Sequence, residues 1–284
     1  MTLTLDQKIA HLHASLRDMN SVIVAFSGGV DSTYLLAEAT QVLGDRCIAL
    51  TAVSPALPPA EFKEAQQLAE EMGCQHLMID SNELSVEGYR SNPENRCYFC
   101  KTELYTICER EAQRLSIDYV VDGCNLDDLS DYRPGRQAAS EQQVRSPLIE
   151  AQMTKDDVRE ASTRLGLKTA RKAAFACLSS RFPYGTKITA ERLDQIANCE
   201  QFLRDHDFRQ FRCRFHDTIV RVEVAAEELQ RLFEPELREK MVAHMKAEGF
   251  LYVTVDMQGY RTGAMNEGLN PRNVVSLKVL EKAS

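Results

Sequence analysis

A short apolar strand that leads directly into two glycines and a helix constrains this chain more than any other feature. Residues 22–26 read Val-Ile-Val-Ala-Phe, and residues 27–32 read Ser-Gly-Gly-Val-Asp-Ser. A short, β-branched apolar run is typical of a strand buried on both faces of a parallel sheet. The residues that follow predict a helix over 31–43. The glycine pair therefore lies in the turn between a buried strand and a helix N-terminus.

The same strand-to-helix order repeats through the first half of the chain. Strands are predicted at 47–53, 76–79 and 119–121, and helices at 59–72, 93–115 and 154–165. Strands that alternate with helices indicate an α/β fold, in which a parallel sheet carries helices on both faces. The ligand of such a fold is expected at the carboxyl edge of the strands.

A segment rich in turn residues, Arg-Phe-Pro-Tyr-Gly at 181–185, separates this half from a different pattern. Beyond it the sequence predicts a helix at 189–203, strands at 208–215, 218–224 and 250–255, and a helical stretch at 226–246 that Pro235 breaks. We therefore predict two domains: residues 1–185, and a smaller α+β domain over 186–284.

The amino-acid composition limits the kinds of partner that this chain is expected to bind. The 42 acidic side chains outnumber the 34 Lys and Arg side chains, which argues against a protein that holds nucleic acid by bulk electrostatics. The sequence has no apolar run long enough to span a membrane, and Asp6 and His11 interrupt the start where a signal peptide would be apolar. We expect a cytosolic chain whose clustered cysteines serve as metal ligands or reactive thiols.

The glycine turn has the features of a phosphate site. Gly28 and Gly29 leave backbone N–H groups accessible to an anion, the helix N-terminus attracts negative charge, and Ser27 and Ser32 add hydroxyl donors. The lysine of a Walker loop is absent, and Asp31 stands inside the turn instead, which suggests that Mg²⁺ bridges the carboxylate and the phosphate. A plain strand-to-helix turn is the alternative for the glycine pair alone.

The whole six-residue segment resembles the pyrophosphate loop (PP-loop) of the N-type ATP pyrophosphatases. That resemblance implies cleavage of ATP between the α- and β-phosphates, transfer of AMP to a substrate oxygen, and a loop that stabilises the departing pyrophosphate. It also implies that the loop residues, Val30 among them, bind ATP, and that Ala52, Val53 and Ser54 receive the adenine.

Three cysteines stand in contexts that suggest chemistry. Cys97 and Cys100 form a single C-x-x-C, which is too few ligands for a four-cysteine zinc site. Cys177 lies between the cations of residues 171–172 and Arg181, and a nearby cation stabilises a thiolate. Cys177 is therefore a candidate nucleophile or metal ligand, while two helix-borne cysteines with no role are the alternative for the C-x-x-C alone.

An ordered set of motifs sharpens the resemblance. The segments at 27–32, 92–101, 122–128, 131–135, 146–148 and 177–185 occur in the order found in the LarE family of ATP-dependent sulfur transferases, which this chain resembles over nearly its whole length. The resemblance implies adenylation of a carboxylate of a pyridinium biscarboxylic acid mononucleotide and insertion of sulfur to give a thiocarboxylate. That reaction belongs to the biosynthesis of the nickel-pincer nucleotide of lactate racemase.

The same resemblance implies roles for the cysteines. Cys177 matches the cysteine that donates sulfur, and in members with that cysteine alone it is left as dehydroalanine after one turnover. Members with the additional C-x-x-C hold a [4Fe-4S] cluster through three thiolates, which predicts Cys97, Cys100 and Cys177 as cluster ligands here. A sacrificial Cys177 is the alternative.

Further binding positions follow by resemblance. Residues expected to bind ATP beyond the loop are Gly123, Asn125, Asp128 and Arg133. Arg212 and Arg214 fall two apart on a predicted strand and face one side, which suits a phosphate clamp, and they match the family's substrate-phosphate arginines. Glu200 and Glu223 match its acidic metal-binding positions. A solvated strand with Glu partners is the structural alternative for the arginines.

The resemblance also sets expectations for partners and leaves two other functions open. Family members are homo-oligomers that pack as hexamers, and a separate source would have to deliver sulfur for repeated turnover. A tRNA thiolase with the same ATP chemistry is one alternative, although no basic, aromatic-rich domain is evident. A cluster- or zinc-stabilised nucleotide-binding regulator is the other. Cys124 and Ala170 depart from the family's usual residues, so the acceptor itself stays open.

Overall fold

The computed structural model describes residues 3–129, 134–172 and 176–261, and these form two compact units. The first unit comprises Met1–Tyr89 with Asn95–Phe175, and the second comprises Arg90–Glu94 with Ala176–Ser284, as far as their residues are described. The domain boundary predicted at 185/186 stays a sequence prediction.

The first unit is built on four strands: β1 (Val22–Ala25), β2 (Cys47–Val53), β3 (Gln75–Asp80) and β4 (Tyr119–Val121). Its helices, in chain order, are α1 (Leu5–Met19), α2 (Val30–Leu43), α3 (Pro59–Glu71), α4 (Glu87–Arg90, at whose end the chain passes to the second unit), α5 (Arg96–Leu115), α6 (Pro134–Glu141), α7 (Pro147–Glu150) and α8 (Lys155–Arg164).

The strands form one parallel sheet in the order β3-β2-β1-β4, with helices packed on both faces. Alternate residues of β1 point to opposite faces: Val22 and Val24 join one apolar cluster with α1 and α2, and Ile23 and Ala25 join another with α5. All four residues of β1 are buried. The predicted α/β sheet is confirmed.

Local sequence signals explain where several helices begin. Thr154 caps α8 through a capping box with Asp157, as the sequence predicts. Pro59 is the first residue of α3, where a missing N–H carries no penalty. Helix α5 begins at Arg96 rather than at 93, with Asn95 as its N-cap.

Within its described residues, the second unit contains a three-stranded sheet and two α-helices. Its elements are α9 (Ala190–Asp205), β5 (Phe211–His216), β6 (Ile219–Val224), α10 (Pro235–Ala247) and β7 (Tyr252–Val255). Strands β5 and β6 are antiparallel, whereas β6 and β7 are parallel. The rings of Phe182, Phe215 and Phe250 meet in its core. The predicted smaller α+β unit is confirmed, including the break before Pro235.

None of the helices in the described ranges combines the length and the apolar character that a membrane span requires.

Candidate active site

The turn between β1 and α2 is held in shape by its own serines. Ser27 Oγ lies 3.0 Å from Ser32 Oγ, and the Gly29 N–H donates to Ser27 Oγ over 3.4 Å. Gly29 is the N-cap of α2, and no side chain among the described residues caps it. The helix therefore begins with backbone N–H groups and the positive end of its dipole facing the turn, as an anion site requires.

Two glycines allow neighbouring elements to approach this turn closely. Gly28 has a φ of +68°, and a Cβ there would lie 3.1 Å from Cβ of Ala65 on α3. A Cβ on Gly123, after β4, would come within 2.8 Å of the Ser32 backbone nitrogen. The predicted site residues Gly28, Gly29 and Gly123 are thus brought together at the carboxyl end of the sheet.

Asp31 is held from two sides in the first turn of α2. Its Oδ2 accepts from Lys155 Nζ at 2.6 Å, and its Oδ1 accepts from Asn125 Nδ2 at 3.2 Å. Asp31 is about one quarter exposed and Lys155 about one third exposed, so both side chains remain accessible from solvent. An accessible carboxylate beside an anion turn is the oxygen-donor chemistry that Mg²⁺ prefers.

The segment after β4 holds Asn125 in the position from which it contacts Asp31. The backbone N–H of Asn125 donates to Asp128 Oδ2 at 3.0 Å, which orients the Asn125 amide toward Asp31. Buried Asp122 accepts from the hydroxyls of Tyr105 (2.8 Å) and Ser146 (2.7 Å). Burial, together with Asp122, raises the pKa of the Cys124 thiol to about 12. Cys124 is therefore a neutral hydrogen-bond donor at this position, not a reactive thiolate.

The end of β2 lies beside the turn because β2 pairs with β1 in parallel. Ala52, Val53 and Ser54, the residues predicted to bind adenine, come after the part of β2 that pairs with β1. Ser54 Oγ accepts from the Ala56 N–H at 3.2 Å. The Phe26 N–H donates to Leu50 O at 2.8 Å, which joins the two strands just before the turn. The adenine-binding role of these residues stays a prediction.

Lys172 contacts the turn from a different part of the first unit. Its Nζ lies 3.2 Å from the carbonyl oxygen of Gly28, and pairs with Glu61 at 2.8 Å and Glu64 at 2.9 Å. Lys172 and Glu61 are both largely buried. Together with Lys155, it places two ammonium groups against a turn that would receive the negative charges of a triphosphate.

The paired cysteines lie at the start of α5. Cys97 is exposed and Cys100 is partly buried. Residues three apart on a helix share a face, so the two thiols project from one side of the first turn. Both belong to the first unit, and Cys177 belongs to the second. Their shared role as ligands stays a prediction.

Cys177 precedes a short 3₁₀ helix, Leu178–Arg181, that a buried arginine holds in place. Arg181 Nη1 donates to the carbonyl oxygens of Ala176 (2.6 Å) and Cys177 (3.0 Å). The same guanidinium forms a bidentate pair with Glu200, with both N···O distances 2.8 Å. The backbone that carries Cys177 is therefore fixed by one ion pair inside the second unit.

The predicted phosphate clamp lies on β5 of the same unit. Arg214 makes a bidentate pair with Glu223 (3.0 and 2.8 Å) and donates to the Ser180 carbonyl oxygen at 3.0 Å. Arg212 lies on the same strand face, with its guanidinium 5.1 Å from the centre of the Tyr260 ring. Arg214 does have a Glu partner, and its contact with Ser180 places it beside the segment that follows Cys177.

The glutamates predicted as metal ligands are engaged with arginines. Glu200 accepts from Arg181 and from the Cys213 N–H, and Glu223 accepts from Arg214 and Arg221. In the described part of the chain, no group of three or more His, Cys, Asp or Glu side chains is arranged to hold a metal ion. The metal-binding roles stay predictions, and Arg133 lies outside the described residues.

Sequence reasoning missed the contacts of three side chains, Lys155, Lys172 and Arg221, and left open whether His216 is a turn residue or a site residue. Lys155 was visible only as the residue after the Thr154 cap. Its contact with Asp31 joins positions that are 124 residues apart, and no local pattern reports such a contact.

The part of the chain that contains the turn matches a known protein family. Residues 4–103, which contain β1, the turn and β2, match the family model described as NAD synthase.

Comparison with individual proteins extends over nearly the whole chain. An uncharacterised protein of Synechocystis is 43% identical over 265 residues, which cover 93% of this chain and 99% of that protein. A pyridinium-3,5-bisthiocarboxylic acid mononucleotide synthase of Lactiplantibacillus plantarum is 38% identical over 267 residues, or 94% of this chain and 96% of that protein. An uncharacterised protein of Methanocaldococcus jannaschii is 28% identical over 262 residues, or 90% and 98%.

Proposed function

Because this chain belongs to the LarE family of PP-loop ATP-dependent sulfur transferases, we propose that it converts a carboxylate of a pyridinium biscarboxylic acid mononucleotide into a thiocarboxylate, using ATP. The observation that carries the proposal is the turn at 27–32, in which an uncapped helix N-terminus, two serines and an accessible carboxylate meet at the carboxyl edge of a parallel sheet. The product fits the biosynthesis of the nickel-pincer nucleotide of lactate racemase.

The first chemical step is adenylation. A carboxylate oxygen of the acceptor attacks the α-phosphorus of ATP, the bond between the α-phosphorus and the bridging oxygen breaks, and pyrophosphate leaves. The backbone N–H groups at the start of α2, with Ser27 and Ser32, stabilise the charge that develops on pyrophosphate. Lys155 and Lys172 place ammonium groups at the same turn, where Asp31 and the two glutamates Glu61 and Glu64 hold them in the absence of a nucleotide.

Mg²⁺ would be held by Asp31 together with the phosphate oxygens, where it neutralises charge on the triphosphate. The residues present suit this ion, because the Asp31 carboxylate is accessible and lies in the first turn of the helix that binds the phosphates. Lys155, which pairs with Asp31, is then available to the phosphates instead.

In the second step, sulfur replaces the activated oxygen and AMP leaves. We propose that Cys97, Cys100 and Cys177 hold a [4Fe-4S] cluster, which when bound would supply the sulfur repeatedly. Accessible thiols one turn apart on α5 and a third on an anchored backbone segment suit soft iron ligation. In the sacrificial alternative, the Cys177 thiolate attacks the acyl carbon, and loss of its α-proton then breaks the Cβ–S bond and leaves dehydroalanine.

Arg212 and Arg214 are proposed to bind the phosphate of the acceptor, and Glu200 and Glu223 to position these and neighbouring cations or to bind metal. A cytosolic location, a homo-oligomeric state up to a hexamer and an external sulfur source belong to the same proposal.

ATP–pyrophosphate exchange tests the function. We expect exchange that depends on the pyridinium mononucleotide and is lost in Asp31→Ala. Exchange that depends on tRNA would favour a tRNA thiolase, and ATP binding without any exchange would favour a non-catalytic nucleotide-binding regulator. Either result contradicts the proposal.

The sulfur source is tested separately. Anaerobically purified protein should be brown, with iron and sulfide that both fall in Cys97→Ala and Cys177→Ala. A colourless protein with stoichiometric zinc would contradict the cluster. A loss of one H₂S from the Cys177 peptide after a single turnover would establish the sacrificial route.

A further inference from the structure

A small cavity in the second unit contains Arg214, one of the two arginines proposed to bind the acceptor's phosphate, together with two side chains, His216 and Arg221, that the proposed function does not use. It encloses about 160 Å³ and is lined by Ser180, Arg181, Phe182, Pro183, Arg214, His216 and Arg221. All of these residues belong to the second unit, so the cavity is a feature of that unit alone.

Strand pairing brings three nitrogen-bearing side chains to one face of the sheet. Arg214 and His216 are two residues apart on β5, so their side chains share a face. Arg221 on β6 is the direct cross-strand partner of Arg214. Two cations placed opposite each other repel, and Glu223 offsets the repulsion because its Oε1 accepts from both guanidinium groups.

Two of these side chains have buried nitrogen atoms without a partner among the described residues. These atoms are Nε2 of His216 and Nε of Arg221. A buried donor that makes no hydrogen bond costs free energy, and buried polar groups in native proteins are nearly always satisfied. Two such atoms in residues that line one cavity indicate that a ligand or ordered water accepts from them.

The charges around the cavity are balanced, so its hydrogen-bond donors, and not a net charge, select the ligand class. Arg181 and Glu200 neutralise each other, whereas Arg214 and Arg221 share Glu223, with Asp256 3.6 Å from Arg221. Burial, with Arg221 and Arg214 nearby, lowers the pKa of His216, so the imidazole is neutral and offers one N–H. A cavity walled by guanidinium N–H groups and an imidazole N–H fits an oxyanion.

We propose that His216 and Arg221 bind the phosphate group of the acceptor alongside Arg214, and that they make the second unit selective for a phosphorylated acceptor. Arg214 has three donor contacts to Glu223 and Ser180, which leave part of its five-donor guanidinium for a ligand. His216 and Arg221 supply the donors that the protein itself leaves unused. The inference rests on the proposed function only for the identity of the acceptor.

Calorimetric titration of the full chain tests the proposal with three probes: inorganic phosphate, a pyridine mononucleotide and its unphosphorylated nucleoside. We expect wild-type protein to bind the first two and not the third. Arg221→Gln and His216→Ala should each weaken binding of phosphate and mononucleotide by about ten- to a hundredfold. His216→Gln, which keeps a donor, should recover part of the loss.

A matched control is Arg238→Gln, which removes an exposed cation of the same unit and should leave all three titrations unchanged. Hydrogen exchange at the Gly185 and Ile188 amides, which are hydrogen-bonded inside the second unit, reports that this unit is folded in each variant. Wild-type affinity in both cavity variants, or equal binding of nucleoside and mononucleotide, would overturn the proposal. The two proposals can fail separately. If the variants lose phosphate binding but the pyridinium mononucleotide does not support ATP–pyrophosphate exchange in the wild-type protein, this inference is upheld and the proposed function is refuted.

Discussion

At the scale of single residues, the phosphate turn has its charge balanced before any nucleotide arrives. Asp31 contributes a carboxylate, and Lys155 pairs with it at 2.6 Å. Solvent screening reduces the net interaction of such a partly exposed pair to about 1 kcal/mol, which corresponds to a change of up to about tenfold in the affinity for a charged ligand. The lysine therefore decides how strongly the turn attracts a polyanion.

Replacement of Lys155 by Gln should weaken ATP binding by roughly tenfold at low Mg²⁺, because the unpaired Asp31 carboxylate repels the triphosphate. Saturating Mg²⁺ should remove most of the difference, since the ion neutralises the same carboxylate. Titration of ATP at two Mg²⁺ concentrations measures both effects.

Lys168→Gln is the control for that substitution, because Lys168 pairs with Glu71 at an exposed position of the same unit. Equal ATP affinity in Lys155→Gln and wild type at low Mg²⁺ would contradict the assigned role.

A second residue-scale feature is the thiol pair of Cys47 and Cys74. Cys47 begins β2 and is buried, and Cys74 precedes β3 and is partly exposed. A hydrogen bond from the Cys47 thiol lowers the pKa of Cys74 to about 6. The same interaction, followed by burial, raises the pKa of Cys47.

Alkylation of Cys74 by iodoacetamide should therefore reach half its maximal rate near pH 6, because the thiolate is the reacting form. The rate falls as pH drops through this pKa and is nearly constant above pH 7. In Cys47→Ala the midpoint should return toward the ordinary thiol value of about 8.5. Peptide mass spectrometry over a pH series measures the midpoint, and an unchanged midpoint in that variant would contradict the stated cause.

At the scale of elements, the short helix after Cys177 depends on one buried ion pair. Arg181 and Glu200 are both nearly inaccessible, and the arginine also donates to the carbonyl oxygens of Ala176 and Cys177. A buried ion pair adds little net stability, but removal of one partner leaves an uncompensated charge. The element that carries Cys177 is therefore sensitive to this pair.

Arg181→Met should lower the free energy of unfolding by about 3–5 kcal/mol, because the Glu200 carboxylate remains buried without its partner. The double variant Arg181→Met with Glu200→Gln should recover a large part of that loss. Urea denaturation measures both. A loss below about 1 kcal/mol in the single variant would be typical of an exposed pair and would contradict the prediction.

The bounds of helices and strands could be predicted well where hydrophobic periodicity and helix caps, which depend only on neighbouring residues, determine them. Strand β2 has the predicted bounds, and Thr154 caps α8 as expected. Strand β5 begins at Phe211 rather than 208, because Asp207 adopts a positive φ and the Phe208 N–H bonds back to α9. Chain turns of this kind depend on backbone conformations that hydrophobic patterning does not report.

The candidate site was predictable only in part. Its loop, from Ser27 to Ser32, was readable because one contiguous segment carries all its groups. The contacts of Lys172 with Gly28 and of Arg181 with Glu200 were not, because each depends on how distant segments pack.

At the scale of the whole molecule, the chain leaves the first unit twice. Residues Arg90–Glu94 belong to the second unit, and the chain then returns to form α5 with Cys97 and Cys100. Within the second unit, Asn92 is fully buried and donates to the carbonyl oxygens of Phe182 (3.3 Å) and Pro183 (2.8 Å). The Gly185 N–H donates back to the Asn92 carbonyl oxygen at 2.8 Å.

Asn92→Ala should therefore destabilise the second unit by about 2–4 kcal/mol, since it removes two buried hydrogen bonds and places alanine at a φ of +53°. Asn92→Gly removes the same bonds without the conformational strain, so it should recover about 1 kcal/mol of that loss. Hydrogen exchange at the Gly185 and Ile188 amides, both bonded to the 90–94 segment, reports the loss locally. If those amides exchange at wild-type rates in Asn92→Ala, the segment does not support the second unit, and residues 176–261 must be stable without it.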